Sequence, residues 1–128
     1  MKLLLDSHAF LWFVAGDERL SPLARAAIED SSNDRFLSVA SVWEMAIKHS
    51  QGRLRLSPGF GEFIAGETRR NSIELAAIEL AHALVVAEFP FHHRDPFDRL
   101  LAAQCTIERL VLVSGDAVMD SYGIERIW

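Results

Sequence analysis

Five acidic residues lie where predicted strands end or predicted helices begin: Asp6, Glu44, Asp95, Asp98 and Asp116. Asp6 directly follows one apolar predicted strand, and Asp116 follows another by three residues. Glu44 is expected in the first turn of a helix, and Asp95 and Asp98 open a later helix. In a parallel α/β sheet, the C-terminal ends of the strands and the N-terminal ends of the adjoining helices share one edge, where ligands bind. We therefore expect the five carboxyl groups to converge at that edge.

Crowded carboxyl groups of this kind predict a site for a divalent cation. Like charges held close together raise one another's pKa, and a bound cation relieves their repulsion. Carboxylate oxygens suit Mg²⁺ or Mn²⁺ better than Zn²⁺. Such ions activate water and stabilise the leaving oxygen of a phosphodiester. The residues therefore predict metal-dependent phosphate-ester hydrolysis, and by themselves they leave a ribonuclease, a DNA nuclease and a phosphatase open.

The same acids have an alternative interpretation as helix caps. Asp6 precedes a predicted helix, and Asp95 is followed by proline, as at many helix starts. Ser41 and Glu44 have the spacing of a capping box. Asp116 could belong to a turn after Ser114-Gly115. On this interpretation the protein is a non-catalytic α/β interaction module that binds no metal.

The elements that would position these acids alternate along the chain. Strands are predicted over residues 2–5, 36–39, 73–75, 110–113 and 124–128, and helices over 8–15, 22–30, 41–50, 58–70, 78–89 and 95–108, with a helical turn over 117–122. Alternation of strands and helices predicts an α/β fold with a mainly parallel sheet of four to five strands.

Composition limits the class of protein. The chain has 128 residues, half of them hydrophobic, which fits one domain over residues 1–128. Its apolar runs are too short to span a membrane. Cys105 is the only cysteine, so no internal disulfide is expected, and a reducing cytoplasm is the expected compartment. The net charge of −5 argues against non-specific nucleic-acid coating, although residues 48–70 carry five basic and two acidic side chains.

Several other residues have expected environments. Trp43 and Cys105 are expected in the core. His92 and His93 are expected as a loop pair on the rim of the cleft, with a zinc site as the less favoured alternative. The apolar segment 10–14 could face a partner or pack into the core.

Motifs along nearly the whole chain resemble the PIN-domain family, and specifically VapC-type toxins of bacterial toxin–antitoxin pairs. They comprise residues 3–9, 40–48, 52–54, 93–104, 113–116 and 122–124. The most specific of them begins His93-Arg94-Asp95-Pro96-Phe97-Asp98-Arg99. The resemblance implies a three-layer α/β/α sandwich, a metal-dependent endoribonuclease, dimerisation and inhibition by a cognate antitoxin.

The resemblance also implies roles for individual residues. Asp6, Glu44, Asp98 and Asp116 correspond to the catalytic acidic quartet, with Asp6 and Asp98 as the main ligands of Mg²⁺ or Mn²⁺. Asp95 is an added acid. Ser7 stands where threonine is usual in the family, and Ser114-Gly115 also departs from the common pattern. Both serines keep a hydroxyl that could orient ligands. RNA phosphates would be contacted by Lys48, Arg53, Arg94 and Arg99.

Overall fold

A computed structural model, which describes residues 1–128, contains a five-stranded sheet between two layers of helices. The strands are β1 (Lys2–Leu5), β2 (Asp34–Ser38), β3 (Ile73–Ala76), β4 (Val111–Val113) and β5 (Arg126–Ile127). Their order is β3-β2-β1-β4-β5, and every neighbouring pair is parallel. The α/β sandwich and the parallel sheet are therefore confirmed.

Six α-helices connect the strands: α1 (Ser7–Ala15), α2 (Pro22–Glu29), α3 (Val39–Ser50), α4 (Phe60–Arg70), α5 (Leu80–Glu88) and α6 (Pro96–Glu108). A short 3-10 helix spans Ala117–Tyr122. The Ser21 hydroxyl caps α2 by accepting from the Ala24 amide, and α1 ends at Gly16, which adopts the left-handed conformation. None of the helices combines the length and the apolar character that crossing a bilayer requires.

Side chains of the sheet alternate between two hydrophobic cores. Leu3 and Leu5 of β1 are fully buried in one core with helices α1 to α4, whereas Leu4 faces the other core with α6. Alternation of this kind follows from the two-residue repeat of a strand. Because β1 is buried on both faces, its C-terminal end is held in place, and so is Asp6, the residue that follows it.

Two apolar features of the sequence belong to these cores. Cys105 is buried among α6 residues, as expected, and burial raises the pKa of its thiol to about 12. Phe10 is fully buried, and the rest of the apolar segment 10–14 packs partly buried against the same core. Core packing therefore accounts for this segment.

The strand order reverses beside β1. The chain runs from β1 outward to β2 and β3, and then crosses back to β4 on the other side of β1. In α/β sheets such a reversal separates the loops that leave the two strands and opens a crevice at their C-terminal ends. The segments that begin at Asp6 and at Ser114 flank this crevice.

Helix α3 begins earlier than predicted. Ser38 caps it, because the Ser38 hydroxyl accepts a hydrogen bond from the Ala40 amide at 3.0 Å. Val39, predicted as the last strand residue, is the first residue of the helix. Glu44 therefore lies in the second turn rather than the first, and the predicted capping box of Ser41 and Glu44 is wrong.

Candidate metal centre

A cavity of about 670 Å³ opens at the C-terminal edge of the sheet. All five acids singled out in the sequence line it: Asp6, Glu44, Asp95, Asp98 and Asp116. They come from the ends of β1 and β4 and from α3 and α6, which are far apart in sequence. The expected convergence of these side chains is therefore what the structure shows.

Asp6 both caps a helix and faces the cavity. Its backbone amide donates to the Val113 carbonyl at 3.1 Å, which ties the end of β1 to the end of β4. Its Oδ1 accepts from the Ala9 amide at 2.7 Å, the capping bond of α1. Burial raises the pKa of Asp6, against the lowering effect of a hydrogen bond from the Ser114 hydroxyl. Capping α1 through Oδ1 therefore does not remove Asp6 from the lining of the cavity.

Glu44 is held by two side chains. The Ser7 hydroxyl donates to Glu44 Oε1 at 2.6 Å. Lys48, one helical turn further along α3, lies 3.9 Å from Oε2 through its Nζ atom. Ser7 thus connects the start of α1 to α3, and it fixes the carboxylate in the orientation that faces the cavity.

The start of α6 brings two acids to the cavity. Asp95 Oδ1 accepts from the Phe97 amide at 2.8 Å and from the Asp98 amide at 3.4 Å, so Asp95 is the helix cap. Asp98 lies in the first turn, and its side chain is 25% exposed. Burial raises the pKa of Asp98 to about 7, with added repulsion from Asp95, Asp6 and Glu44.

His93 lies at the centre of the acidic group. Its Nε2 is 2.7 Å from Asp116 Oδ2 and 3.2 Å from Asp98 Oδ2. These three residues form a group whose ligand atoms all lie within 4.8 Å of one another. Asp6 and Glu44 line the same cavity outside this closest group. From the sequence, His93 was expected on the rim of the cleft. Its position two residues before Asp95 was the feature that indicated a place next to the acids.

Two small residues, Ser114 and Gly115, determine the conformation of the segment that follows β4. The Ser114 hydroxyl accepts from the Asp116 amide at 3.1 Å, and the Ser114 side chain is close enough to Asp6 to lower the pKa of that carboxyl group. Asp116 Oδ1 caps the 3-10 helix by accepting from the Val118 amide at 3.1 Å. A Cβ atom on Gly115 would lie 2.9 Å from the Trp128 ring, which explains glycine at this position.

The basic residues next to the cavity differ in whether their side chains are free to contact a ligand. Lys48, Arg53 and Arg94 line an adjoining cavity of about 390 Å³ that shares Glu44 and Asp95 with the acidic site. Arg99, in contrast, is 6% exposed and donates to the Val86 and Phe89 carbonyls, both at 3.1 Å. The expectation that Arg99 contacts RNA is therefore not supported, because its guanidinium group is already bonded inside the fold.

Two aromatic side chains lie beside the acids. Trp43, adjacent to Glu44, is 59% exposed, so its expected core position is wrong. Its ring meets that of Phe97, adjacent to Asp98, edge to face at a centroid distance of 5.2 Å. The site therefore has an aromatic surface next to its carboxylates.

The charges of the cavity fit a hard divalent cation. Against five carboxyl groups, the lining has one lysine and one arginine, Lys48 and Arg19, and two histidines, His8 and His93; Arg19 forms an ion pair with Asp17 at 2.7 Å. Partly buried carboxylate oxygens with so little compensating charge are the donors that Mg²⁺ and Mn²⁺ prefer. Asp98 and Asp116, whose ligand atoms lie close together, and Asp6, which lines the same cavity, are residues that could hold such an ion.

Comparisons with known proteins agree with this architecture. The family model described as "PIN domain" matches residues 3–125. The structure of VapBC2 from Rickettsia felis bound to a promoter DNA fragment has a chain that is similar at a TM-score of 0.73 and 11% identity, covering 98% of this chain and 97% of that one. The structure of VapBC-1 from nontypeable Haemophilus influenzae is similar at 0.66 and 13%, with 98% and 96% covered. No curated protein sequence matches the chain.

Proposed function

The chain belongs to the PIN domain family, and we propose that it is a metal-dependent endoribonuclease that acts as the toxin of a toxin–antitoxin pair. The observation that carries the proposal is the convergence of five carboxyl groups on one cavity at the reversal of the strand order. A site of this charge without a matching set of basic residues supports cation binding and phosphodiester chemistry. We propose one catalytic domain over residues 1–128.

We propose that Asp6 and Asp98 are the main ligands of Mg²⁺ or Mn²⁺. Glu44 and Asp116 complete the site directly or through water. When bound, the ion supplies an activated water and a positive charge for the leaving oxygen. Ser7 orients Glu44 and Ser114 orients Asp6, as their hydrogen bonds suggest.

RNA is the substrate that the surroundings of the cavity favour. Lys48, Arg53 and Arg94 lie where they could contact phosphates on one side of the scissile bond. The exposed ring of Trp43, steadied by Phe97, offers a stacking surface for an unpaired base. Single-stranded RNA presents both features to a protein, because its bases are free to stack.

The proposed partners are a cognate antitoxin and a second copy of the chain. The two similar structures named above are VapBC structures, and the resemblance of the motifs to VapC toxins implies such an antitoxin. Apolar side chains that could be covered by a partner are present: Leu80 and Leu84 of α5 are exposed, and Phe91 is 84% exposed. We propose the cytoplasm as the compartment, since RNA and antitoxin would meet the toxin there.

A substrate panel tests the proposal. Single-stranded RNA, single-stranded DNA, duplexes and a phosphomonoester are incubated with the protein and Mn²⁺ or Mg²⁺. We expect cleavage of single-stranded RNA that EDTA abolishes and that Asp6→Asn and Asp98→Asn lose. Glu125→Gln is the matched control, because Glu125 is exposed and lies outside the acidic cavity. Preferred cleavage of DNA or of the phosphomonoester would support the alternative hydrolases.

A non-catalytic interaction module is the opposing proposal, and it has an observation in its favour. Asp6, Asp95 and Asp116 all cap helices in the structure. If capping is their whole role, calorimetry will detect no Mn²⁺ binding, and no substrate in the panel will be cut. Mn²⁺ binding that Asp98→Asn weakens would exclude this alternative.

A further inference from the structure

The loop between α5 and α6 carries His93 into the acidic cavity, and this loop is anchored. The His93 backbone amide donates to the Tyr122 hydroxyl at 3.0 Å. The ring of His92 meets the Tyr122 ring edge to face at a centroid distance of 5.1 Å. Residue 93 therefore has a defined position that does not depend on the acids it contacts.

The backbone fixes which ring nitrogen of His93 carries hydrogen. The Asp95 amide donates to Nδ1 at 3.0 Å. A ring nitrogen that accepts a hydrogen bond carries no hydrogen, so the hydrogen of the neutral ring is on Nε2. Because an amide is always a donor, the opposite tautomer would lose this bond. Nε2 in this orientation is thus a donor and not a ligand for a cation.

The Nε2–H group of His93 points at two carboxylates that no other side chain joins. It lies 2.7 Å from Asp116 Oδ2 and 3.2 Å from Asp98 Oδ2. Lys48, which also lines the cavity, is paired with Glu44 instead. His93 therefore holds together one acid from the start of α6 and one from the loop after β4.

We propose that His93 is a positioning residue of the metal centre. Its tautomer is set by the Asp95 amide, and its Nε2–H holds one oxygen of Asp98 and one of Asp116, which would leave the other carboxylate oxygens available to a cation. This inference rests on the proposed metal-dependent function. Hydrogen-bond donors that orient ligating carboxylates usually matter strongly to metal affinity.

Nitrogen NMR of ¹⁵N-histidine-labelled protein tests the tautomer without an activity assay. We expect His93 to show the Nε2–H tautomer both in EDTA and with saturating Mg²⁺, which is diamagnetic. A His93→Gln sample assigns the signal by its loss. An Nδ1–H tautomer after Mg²⁺ addition would make Nε2 a ligand and overturn the proposal, as would a doubly protonated ring at neutral pH.

Calorimetry with Mn²⁺ tests the positioning role. We expect His93→Ala to weaken Mn²⁺ binding about 10- to 100-fold, and His93→Gln to recover most of the loss, because its amide nitrogen can donate from near the Nε2 position. Glu125→Gln, which alters an exposed acid outside the acidic cavity, is the control and should bind as the unmodified protein does.

The outcomes separate the inference from the proposed function. Unchanged or tighter Mn²⁺ binding by His93→Ala overturns the inference alone. Equal losses in His93→Ala and His93→Gln also overturn it, because they show that the ring itself, and not its donor, is required. Absence of Mn²⁺ binding by the unmodified protein overturns the inference together with the metal-dependent function.

Discussion

Removal of the Asp98 carboxylate should stabilise the protein in the absence of metal. Burial and neighbouring carboxylates raise the pKa of Asp98 from 3.8 to about 7. Between these values the folded protein holds a proton that the unfolded chain has lost. The free energy of unfolding therefore falls as the pH rises through this range, and the loss is complete above the folded pKa. The asparagine of Asp98→Asn would not ionise, so the free energy of unfolding of this variant should not fall for this reason.

The size of the effect follows from the pKa shift. A shift of about three units corresponds to about 4 kcal/mol, at about 1.36 kcal/mol per unit. The side chain is 25% exposed, so solvent screens part of this energy. Asparagine also loses the favourable interaction with the N-terminus of α6, about 0.3–1 kcal/mol. We expect Asp98→Asn to be more stable than the unmodified protein by about 1–3 kcal/mol near pH 8.

Urea unfolding in EDTA at several pH values measures this difference. Near pH 4 both proteins have a neutral side chain at position 98, so the gain should vanish. Glu125→Gln, which alters an exposed acid outside the cavity, should show no gain at any pH. Excess Mn²⁺ should reverse the order, because ligand binding stabilises the folded protein that binds it better. A mutant that is no more stable near pH 8, or equally stabilised near pH 4, would refute the reasoning.

Three further predictions concern the two arginines near the cavity, the exposed tryptophan and the glycine after β4. Arg99→Ala should cost about 1–3 kcal/mol in urea unfolding, because it leaves the Phe89 carbonyl unpaired, whereas the Val86 carbonyl keeps its bond from the Phe89 amide. The exposed Arg53→Ala should instead raise KM for RNA at unchanged stability, and the reverse pattern would contradict both assignments. Trp43→Ala should raise KM by the equivalent of about 1–3 kcal/mol without changing Mn²⁺ affinity, and an unchanged KM would remove the stacking surface. Gly115→Ala should cost about 1–3 kcal/mol, because its Cβ would meet the Trp128 ring, and Trp128→Ala should suppress that cost; additive losses would contradict the clash.

The convergence of the acids could be predicted because it depends on topology more than on side-chain detail. Once strands and helices alternate in a parallel sheet, the residues that follow β1 and β4 must lie at one edge. Asp6 and Asp116 satisfy this condition whatever the packing around them. The start of α6 was equally clear, since Asp95 and Pro96 are a cap and a first helical residue.

Other features depend on tertiary contacts that a single sequence does not contain. His93 reaches the carboxylates because Tyr122, 29 residues away, holds its backbone. Arg99 is buried because carbonyls at the end of α5 accept from it. Helix α3 was predicted to open at Ser41, but it begins at Val39. Ser38 is the cap because it is also the last residue of β2, paired with Ala76 of β3.

Anomalous diffraction at the manganese edge, from crystals grown with Mn²⁺, tests the central claim most directly. We expect a manganese peak inside the acidic cavity, in coordination contact with Asp98 and with Asp6, and the loss of that peak in Asp98→Asn crystals. Crystals that show the same cavity with no manganese in it, or with manganese bound only at other surface acids, would contradict the account.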